Sequence, residues 1–276
     1  MSDPLTPRRR VGGYAEFAPP GDLREDVSSI WTFEASRHGA PATHRVLPYP
    51  GLTVVFHYVR SDGGGVERPR LELFGPVSRV RSFRPEPGLV MQAVELRPES
   101  VTRLLGVSPA DHLDAIDSWR PSAGPDSVSL FDKLAERALV GDGALGELVR
   151  WLRERDADSR LDPAGRISRL ALRALRAPRS ASLRISDVAD RIGVSLRHLR
   201  RSVLEVAGAS PKRIQRLERL NRVVSVADTR GAPRWSELAV AHGYFDQAHL
   251  IRDFRDLTAS TPARLHAERR AEPVPG

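Results

Sequence analysis

The side chains of this 276-residue chain that could do chemistry are overwhelmingly arginines. Of 43 basic residues, only Lys133 and Lys212 are lysines. Cysteine is absent. Its absence removes disulfides, cysteine-ligated zinc, iron–sulfur clusters and thiol nucleophiles together. No glycine-rich phosphate loop, catalytic-triad spacing or pair of catalytic carboxylates stands out, so no enzyme active site is expected. What is left is the permanent positive charge of the guanidinium group. Arginine in place of lysine, with abundant alanine, proline and glycine, is what a GC-rich genome produces. Roughly half of these arginines therefore read as solvated surface.

Their placement is more telling than their number. Residues 163–276 hold 22 basic and 11 acidic side chains, a net of +11. Residues 1–162 hold 21 and 24, a net of −3. All the excess charge sits in the C-terminal part, as in a nucleic-acid-binding half joined to a half with another task. No stretch approaches the roughly 18 apolar residues of a membrane span. The segment MSDPLTPRRRVGG has no apolar core of a signal peptide. A cytoplasmic location with no membrane partner is the expectation.

The elements that position the charge come from an internal repeat. ISDVADRIGV (185–194) aligns with WSELAVAHGY (235–244). SLRHLRRSVLEVAGASPKRI (195–214) aligns with DQAHLIRDFRDLTASTPARL (246–265), leaving Phe245 as an extra residue in the second copy. Small Ala189 matches Ala239, Gly193 matches Gly243, and Ser195 matches Asp246 as a helix N-cap. Leu199 and Val203 match Leu250 and Phe254 as apolar pairs at i, i+4. Ser210-Pro211 and Thr261-Pro262 each open a further helix. Each copy reads as helix, tight glycine turn and capped helix, a helix-turn-helix whose second helix is presented to the major groove. Ile214, Leu217, Leu220, Val224 and Ala227 fall on one face of a long helix over 210–231. A stiff rod there would set the two modules about one DNA turn apart, ~34 Å, or bend the site if it falls short.

GYFDQAHLIRDFRDLTASTPARL (243–265) resembles the second helix-turn-helix signature of AraC/XylS-type transcription regulators, and residues 185–214 resemble the first. The resemblance covers about 165–270. It implies a seven-helix DNA-binding domain whose first helix lies at about Ala164–Ala177. It further implies base contacts from Leu196, Arg197, Arg200 and Arg201 in the first motif. In the second it implies Gln247, Ala248, His249, Ile251 and Arg252. Arg200 or Arg201 would suit guanine, Gln247 adenine, and Ala248 or Ile251 a thymine methyl. Arg213, Arg216 and Arg255 read as phosphate or surface residues. His198 and His249 read as helix-surface residues, with a base or phosphate contact open to His249 above all. Two departures from the family pattern stand out: Ala248 where a polar residue is often seen, and Val203 where an aromatic is common.

The N-terminal half has the texture of short strands. LTVVFHYV (52–59), RLELF (70–74) and VMQAVEL (90–96) are separated by glycine- and proline-rich turns, and PESVTRLLG (98–106) reads as a helix. Residues 45–56, 73–80 and 96–113 resemble the cupin-like N-terminal domain of some AraC/XylS-type regulators, with Tyr49, Pro50 and Gly51 where an acid and a Gly-Cys pair are usual. The expected fold is α+β with two domains. A cupin-like β-barrel with helices occupies 1–121 as a sensing or dimerisation domain, and a helical connector and hinge occupies 122–163. An all-α double helix-turn-helix domain occupies 164–270, and 271–276 is a disordered tail. Leu130, Leu134, Leu145, Leu148 and Leu152 mark the apolar faces of the connector, which would join the domains or form a dimer contact. Residues 156–163 read as a polar hinge. Trp31, Arg45, Tyr49, Phe56 and Tyr58 are candidates for lining a ligand pocket, with plain packing as the alternative for each. His38, His44 and His57 with Glu95 lack the His-x-His spacing of a cupin metal site, so no metal and no cofactor is expected.

The function implied is a one-component transcription regulator of promoter DNA. RNA polymerase, a small-molecule effector and a second copy of the chain are the further partners, and activation is the expected sign because it is common in the family. An enzyme of the DNA alkyltransferase kind is excluded by the missing cysteine. A purely architectural or partner-binding protein stays open.

Overall fold

The computed structural model describes residues 7–11, 13–38, 43–119, 126–141, 143–158, 163–177 and 183–271. The strands are β1 (Pro7–Val11), β2 (Tyr14–Phe17), β3 (Val27–Glu34), β4 (His44–Val46), β5 (Leu52–Arg60), β6 (Val66–Phe74), β7 (Arg81–Phe83), β8 (Leu89–Leu96) and β9 (Ile116–Ser118). An antiparallel seven-stranded sheet runs β1-β2-β3-β8-β5-β6-β9, and β4 pairs with β7 in a separate ribbon. The central strands are apolar on both faces because both are covered. Leu52, Val54, Phe56 and Tyr58 of β5 face a core shared with helices. Val55 faces the other way, with Tyr14, Trp31, Phe33 and Met91. There His44 of the ribbon lies edge-on to Phe33, with ring centroids 5.3 Å apart.

Among the described residues the expected cupin-like barrel does not close, and β1 and β9 are the free edges of an open sheet. Closure would require the edge strands to tilt and meet in register. Here β9 is three residues long. Helices already seal one apolar face, so the sheet buries its residues without closing.

Those helices are α1 (Pro98–Leu105), α2 (Asp126–Leu139) and α3 (Ala144–Asp158). Leu130, Leu134, Leu145, Leu148 and Leu152 are buried in the same core as the sheet, with Trp119 packed edge-on against Trp151. The segment expected to be a connector thus packs as part of the N-terminal domain, and its leucines are spent inside the chain. Asp156–Asp158 continue α3, Pro163 opens the next helix, and 159–162 lie outside the described residues.

The C-terminal domain comprises α4 (Pro163–Arg176), α5 (Ile185–Ile192), α6 (Leu196–Ala207), α7 (Pro211–Asp228), α8 (Trp235–Ala241), α9 (Gln247–Thr258) and α10 (Pro262–Ala271). It has two cores. Leu172, Leu175, Val188, Leu199, Val203 and Ile214 form the first. Leu217, Leu220, Leu238, Leu250, Phe254 and Leu265 form the second, and α7 runs from one into the other. Helix α10 continues through Ala271, where the tail was expected to begin; 272–276 lie outside the described residues. Among the described residues no helix is long and apolar enough to cross a membrane.

Candidate nucleic-acid interface

The two helix-turn-helix units are built by the same local rules. Gly193 and Gly243 both sit at φ +78°, in the left-handed region that reverses the chain between the paired helices. Ser195 Oγ accepts from the His198 amide at 3.1 Å, and Asp246 Oδ1 from the His249 amide at 2.6 Å. These bonds satisfy amides that the first helical turn leaves unpaired. Ser210 caps α7 through the Arg213 amide at 3.3 Å, and Thr261 caps α10 through the Arg264 amide at 3.3 Å. Ala189 and Ala239 are buried where the paired helices meet, as are Leu199, Val203, Leu250 and Phe254. Val203 fills the place where an aromatic is common without leaving its core.

The copies part at one point. Helix α6 ends on Gly208 at φ +62°, and α9 ends at the matching position on Ala259 at φ +52°. An L-residue there carries a steric penalty of about 1–2 kcal/mol.

On α6, Arg197, Arg200 and Arg201 are exposed and Leu196 is half-buried. Arg201 Nε lies 3.1 Å from Glu205 one turn on, so this cation is shared within the helix. Neither Arg197 nor Arg200 has a side-chain partner among the described residues. His198 is exposed beside them. On α9, Gln247, Ala248 and Arg252 are exposed, and His249 and Ile251 are half-buried. His249 is not a free reader. Its ring stands edge-on to Tyr244 at 5.2 Å, and Nδ1 accepts from the Phe245 amide at 3.4 Å. Only Nε2 can point outward, and in the neutral ring it carries the proton.

Three arginines expected at phosphate or surface differ in position. Arg216 Nη2 braces α7 to α9 through Asp253 at 2.8 Å and Asp256 at 2.6 Å. Burial disfavours its charge, but the bonds to Asp256 and Asp253 outweigh it and raise its pKa. Arg213 reaches across to the Ser78 carbonyl of the N-terminal domain. Arg255 is exposed.

The N-terminal domain grips both units. Arg169 Nη2 lies 3.1 Å from Asp26, which also takes Arg103 at 2.6 Å. Arg176 pairs with the buried Glu99, and Arg173 with Glu25. Arg169, Arg173 and Arg176 are on α4, beside the first unit, whereas Arg103 belongs to α1 of the N-terminal domain. Leu47 inserts into the core of the second. Arg45 binds Glu268 at 2.8 Å and the Thr258 carbonyl at 3.3 Å.

The five ligand-pocket candidates do not converge. Phe56 and Tyr58 are buried on the helix side of the sheet, and Arg45 is committed to the second unit. Tyr49 lines a cavity of about 360 Å³ where the sheet meets α7 and α10, bordered also by Glu95, Arg97, Arg176, Glu218 and Arg269. Trp31 backs this cavity by donating to Glu95 Oε1 at 3.3 Å. The Tyr49 hydroxyl donates to the Leu96 carbonyl at 2.9 Å and lies 2.7 Å from Ser28 Oγ. Burial, then the neighbouring Glu16 carboxylate, pushes the pKa of Glu95 up to about 7, against hydrogen bonds from Trp31 and Ser28. Burial likewise raises that of Glu218. Arg97 Nε and Arg269 Nη1 are buried without a hydrogen-bond partner among the described residues.

The histidines considered for metal are dispersed. His38 is exposed, His44 lies among aromatic rings, and His57 pairs with Glu72 at 2.9 Å. No group of three metal-binding side chains occurs among the described residues.

Comparison with known proteins places the chain's two halves separately. Residues 188–268 match the family described as a helix-turn-helix domain, and residues 15–116 match a domain of unknown function, DUF6597. No curated protein matches. Among solved structures, ToxT from Vibrio cholerae is similar over 86% of this chain and 97% of its own, at 13% identity and a TM-score of 0.45. A transcriptional regulator with an AraC-type DNA-binding domain from Chromobacterium violaceum is 25% identical over 40% of this chain and 96% of its own, with a TM-score of 0.36. The DNA-binding domain of AdpA, solved with a target DNA, is 23% identical over 42% of this chain and all of its own, with a TM-score of 0.34.

Proposed function

We propose that the chain is a DNA-binding transcription regulator of the AraC/XylS type, whose helices α6 and α9 enter adjacent major grooves of one promoter site. The observation that carries this is the pair of matched, capped recognition helices on one continuous helix. Eighteen residues of α7 at about 1.5 Å each make a rod of roughly 27 Å. That is shorter than the ~34 Å DNA turn, so the bound site is bent toward the protein. Arg197 and Arg200 supply guanine and phosphate contacts, and Gln247 and Arg252 supply polar contacts in the second groove. The test is selection of binding sites from random duplexes. A bipartite site with halves about one turn apart, whose bend shows as anomalous gel mobility, is expected. A single contiguous half-site overturns the two-groove reading.

The N-terminal domain modulates this binding through a ligand at the cavity under Tyr49. Its walls come from both domains, so an occupant touches the sheet and α7 at once. The unpartnered Arg97 and Arg269 nitrogens and the Glu95 carboxyl provide polar anchors for it. A metabolite panel read by thermal shift and by DNA affinity tests the ligand. If no compound changes either, the N-terminal half is architectural. Association with RNA polymerase and with a second copy, and the activating sign, belong to the same proposal. They are tested by transcription in vitro and by light scattering.

A further inference from the structure

Phe245 is the most exposed large apolar side chain among the described residues, at 89%. It is also the one residue that the second helix-turn-helix has and the first lacks. Its neighbour Tyr244 is 4% exposed, and Arg219 lies over the Tyr244 ring at 4.8 Å. The chain thus turns over between the two, with one aromatic fixed in the core and the next projected outward. The projection is anchored, because the Phe245 amide donates to His249 Nδ1 at 3.4 Å and Asp246 caps α9 immediately after. Phe245 therefore stands at the N-terminal end of α9, the end of a recognition helix that meets base edges. Within α9, Ala248 and Ile251 are three residues apart on one side of the helix, respectively exposed and half-buried.

An isolated exposed aromatic needs no explanation by itself. This one is placed just before the N-terminal end of α9, a helix that itself carries the apolar side chains of Ala248 and Ile251. Its chemistry fits one feature of the major groove. The thymine C5-methyl is the apolar group displayed there, and a phenyl ring is among the side chains that contact it.

We propose that Phe245 is a specificity-determining residue, its ring packing on a thymine methyl so that the second half-site is read for thymine by apolar contact. The inference rests on the DNA-binding reading above. It assigns the second motif a chemistry different from that of the first, where Arg197 and Arg200 offer charge and hydrogen bonds.

The experiment uses the full chain and the duplex selected from a random pool. Thymines of the second half-site are replaced by uracil one at a time, which removes the methyl and keeps the hydrogen-bonding edge. One or two positions should weaken parent binding about fourfold, the worth of one buried methyl-sized group. Phe245→Ala should bind the thymine duplex at least tenfold more weakly. It should also be indifferent to uracil at those positions. Phe245→Leu should retain part of the discrimination. Because the side chain is exposed, the alanine variant should melt with the parent, so lost binding is not lost folding. Equal uracil penalties in parent and Phe245→Ala, or parent-like affinity of Phe245→Ala, overturn the assignment while DNA recognition stands. A parent that selects no site and shows salt-independent binding overturns both.

Discussion

The two helix-turn-helix units share a backbone and differ in what they present. Gly193 and Gly243 have the same φ, Ser195 and Asp246 make the same cap, and small alanines sit at the same crossing. The faces then diverge. Helix α6 offers two cations without partners among the described residues, Arg197 and Arg200. Helix α9 offers Gln247 and Arg252, with the exposed Phe245 just before its first turn. Their supports diverge too. The first unit is held at α4 by ion pairs to the N-terminal domain. The second holds a piece of that domain, Leu47, in its core and is braced by Arg216. On the proposed reading, one copy of the duplicated scaffold supplies charge and the other apolar contact. The first motif would then dominate affinity, and the second would add orientation and discrimination.

The sharpest way to break this comparison is to remove the cations of the first helix. Arg197→Ala with Arg200→Ala should cost roughly 2–5 kcal/mol of specific binding. It should also lower the slope of log affinity against log salt by about 2. Gln247→Ala with Arg252→Ala should cost less, and a larger loss from the second pair would reverse the ranking. Arg201→Ala, whose side chain is shared with Glu205, should cost less than Arg200→Ala. Titration of binding across salt concentrations measures all of these.

Next in size is the tie to the N-terminal domain. Leu47→Ala empties a buried site in the second core and should cost about 2–3 kcal/mol of stability. Hydrogen exchange should show the loss in α8 and α9 and spare α5 and α6. Equal loosening of both units would contradict the division of supports.

Glu95 gives a pH dependence of comparable or smaller size. Its folded pKa of about 7 lies above the ordinary value of 4.5, so the folded state holds a proton that the unfolded chain releases. This contribution is fully present below about pH 4.5 and is lost as pH rises through about 7, by on the order of 3 kcal/mol. Glu95→Gln should flatten that part of the pH–stability curve and leave the parent less stable than the variant at pH 8. The smallest expected effect is Ala259→Gly. It relieves the left-handed alanine and should stabilise the second unit by about 1 kcal/mol, whereas Gly208→Ala should destabilise the first by a similar amount. Thermal melts distinguish the two signs.

The sequence carried the repeat, the caps and the long α7 because each is local. Ser195, Asp246, Ser210 and Thr261 lie next to the amides they bind, and the apolar face of α7 repeats within its own turns. The pairing of Arg201 with Glu205 is local too, at i, i+4, yet from the sequence Arg201 reads as a base contact. Other features depend on contacts distant along the chain. Leu47 lies more than 160 residues from its neighbours in the second core. Arg216 reads as a surface cation until Asp253 and Asp256 are brought beside it. Whether the sheet closes into a barrel depends on edge strands that do not meet among the described residues, and each strand's own alternation is silent on that. Phe245 had one local sign, its place as the unmatched residue of the second copy, but its exposure was fixed only when Tyr244 turned inward.

The most direct test of the central claim is a missing-contact footprint of the full chain on its selected duplex, with guanines replaced by 7-deazaguanine and thymines by uracil. Two sensitive patches about one helical turn apart are expected. The guanine-sensitive patch should disappear in Arg197→Ala with Arg200→Ala, and the thymine-sensitive patch in Phe245→Ala. A single patch, or two patches that respond alike to both variants, would contradict it.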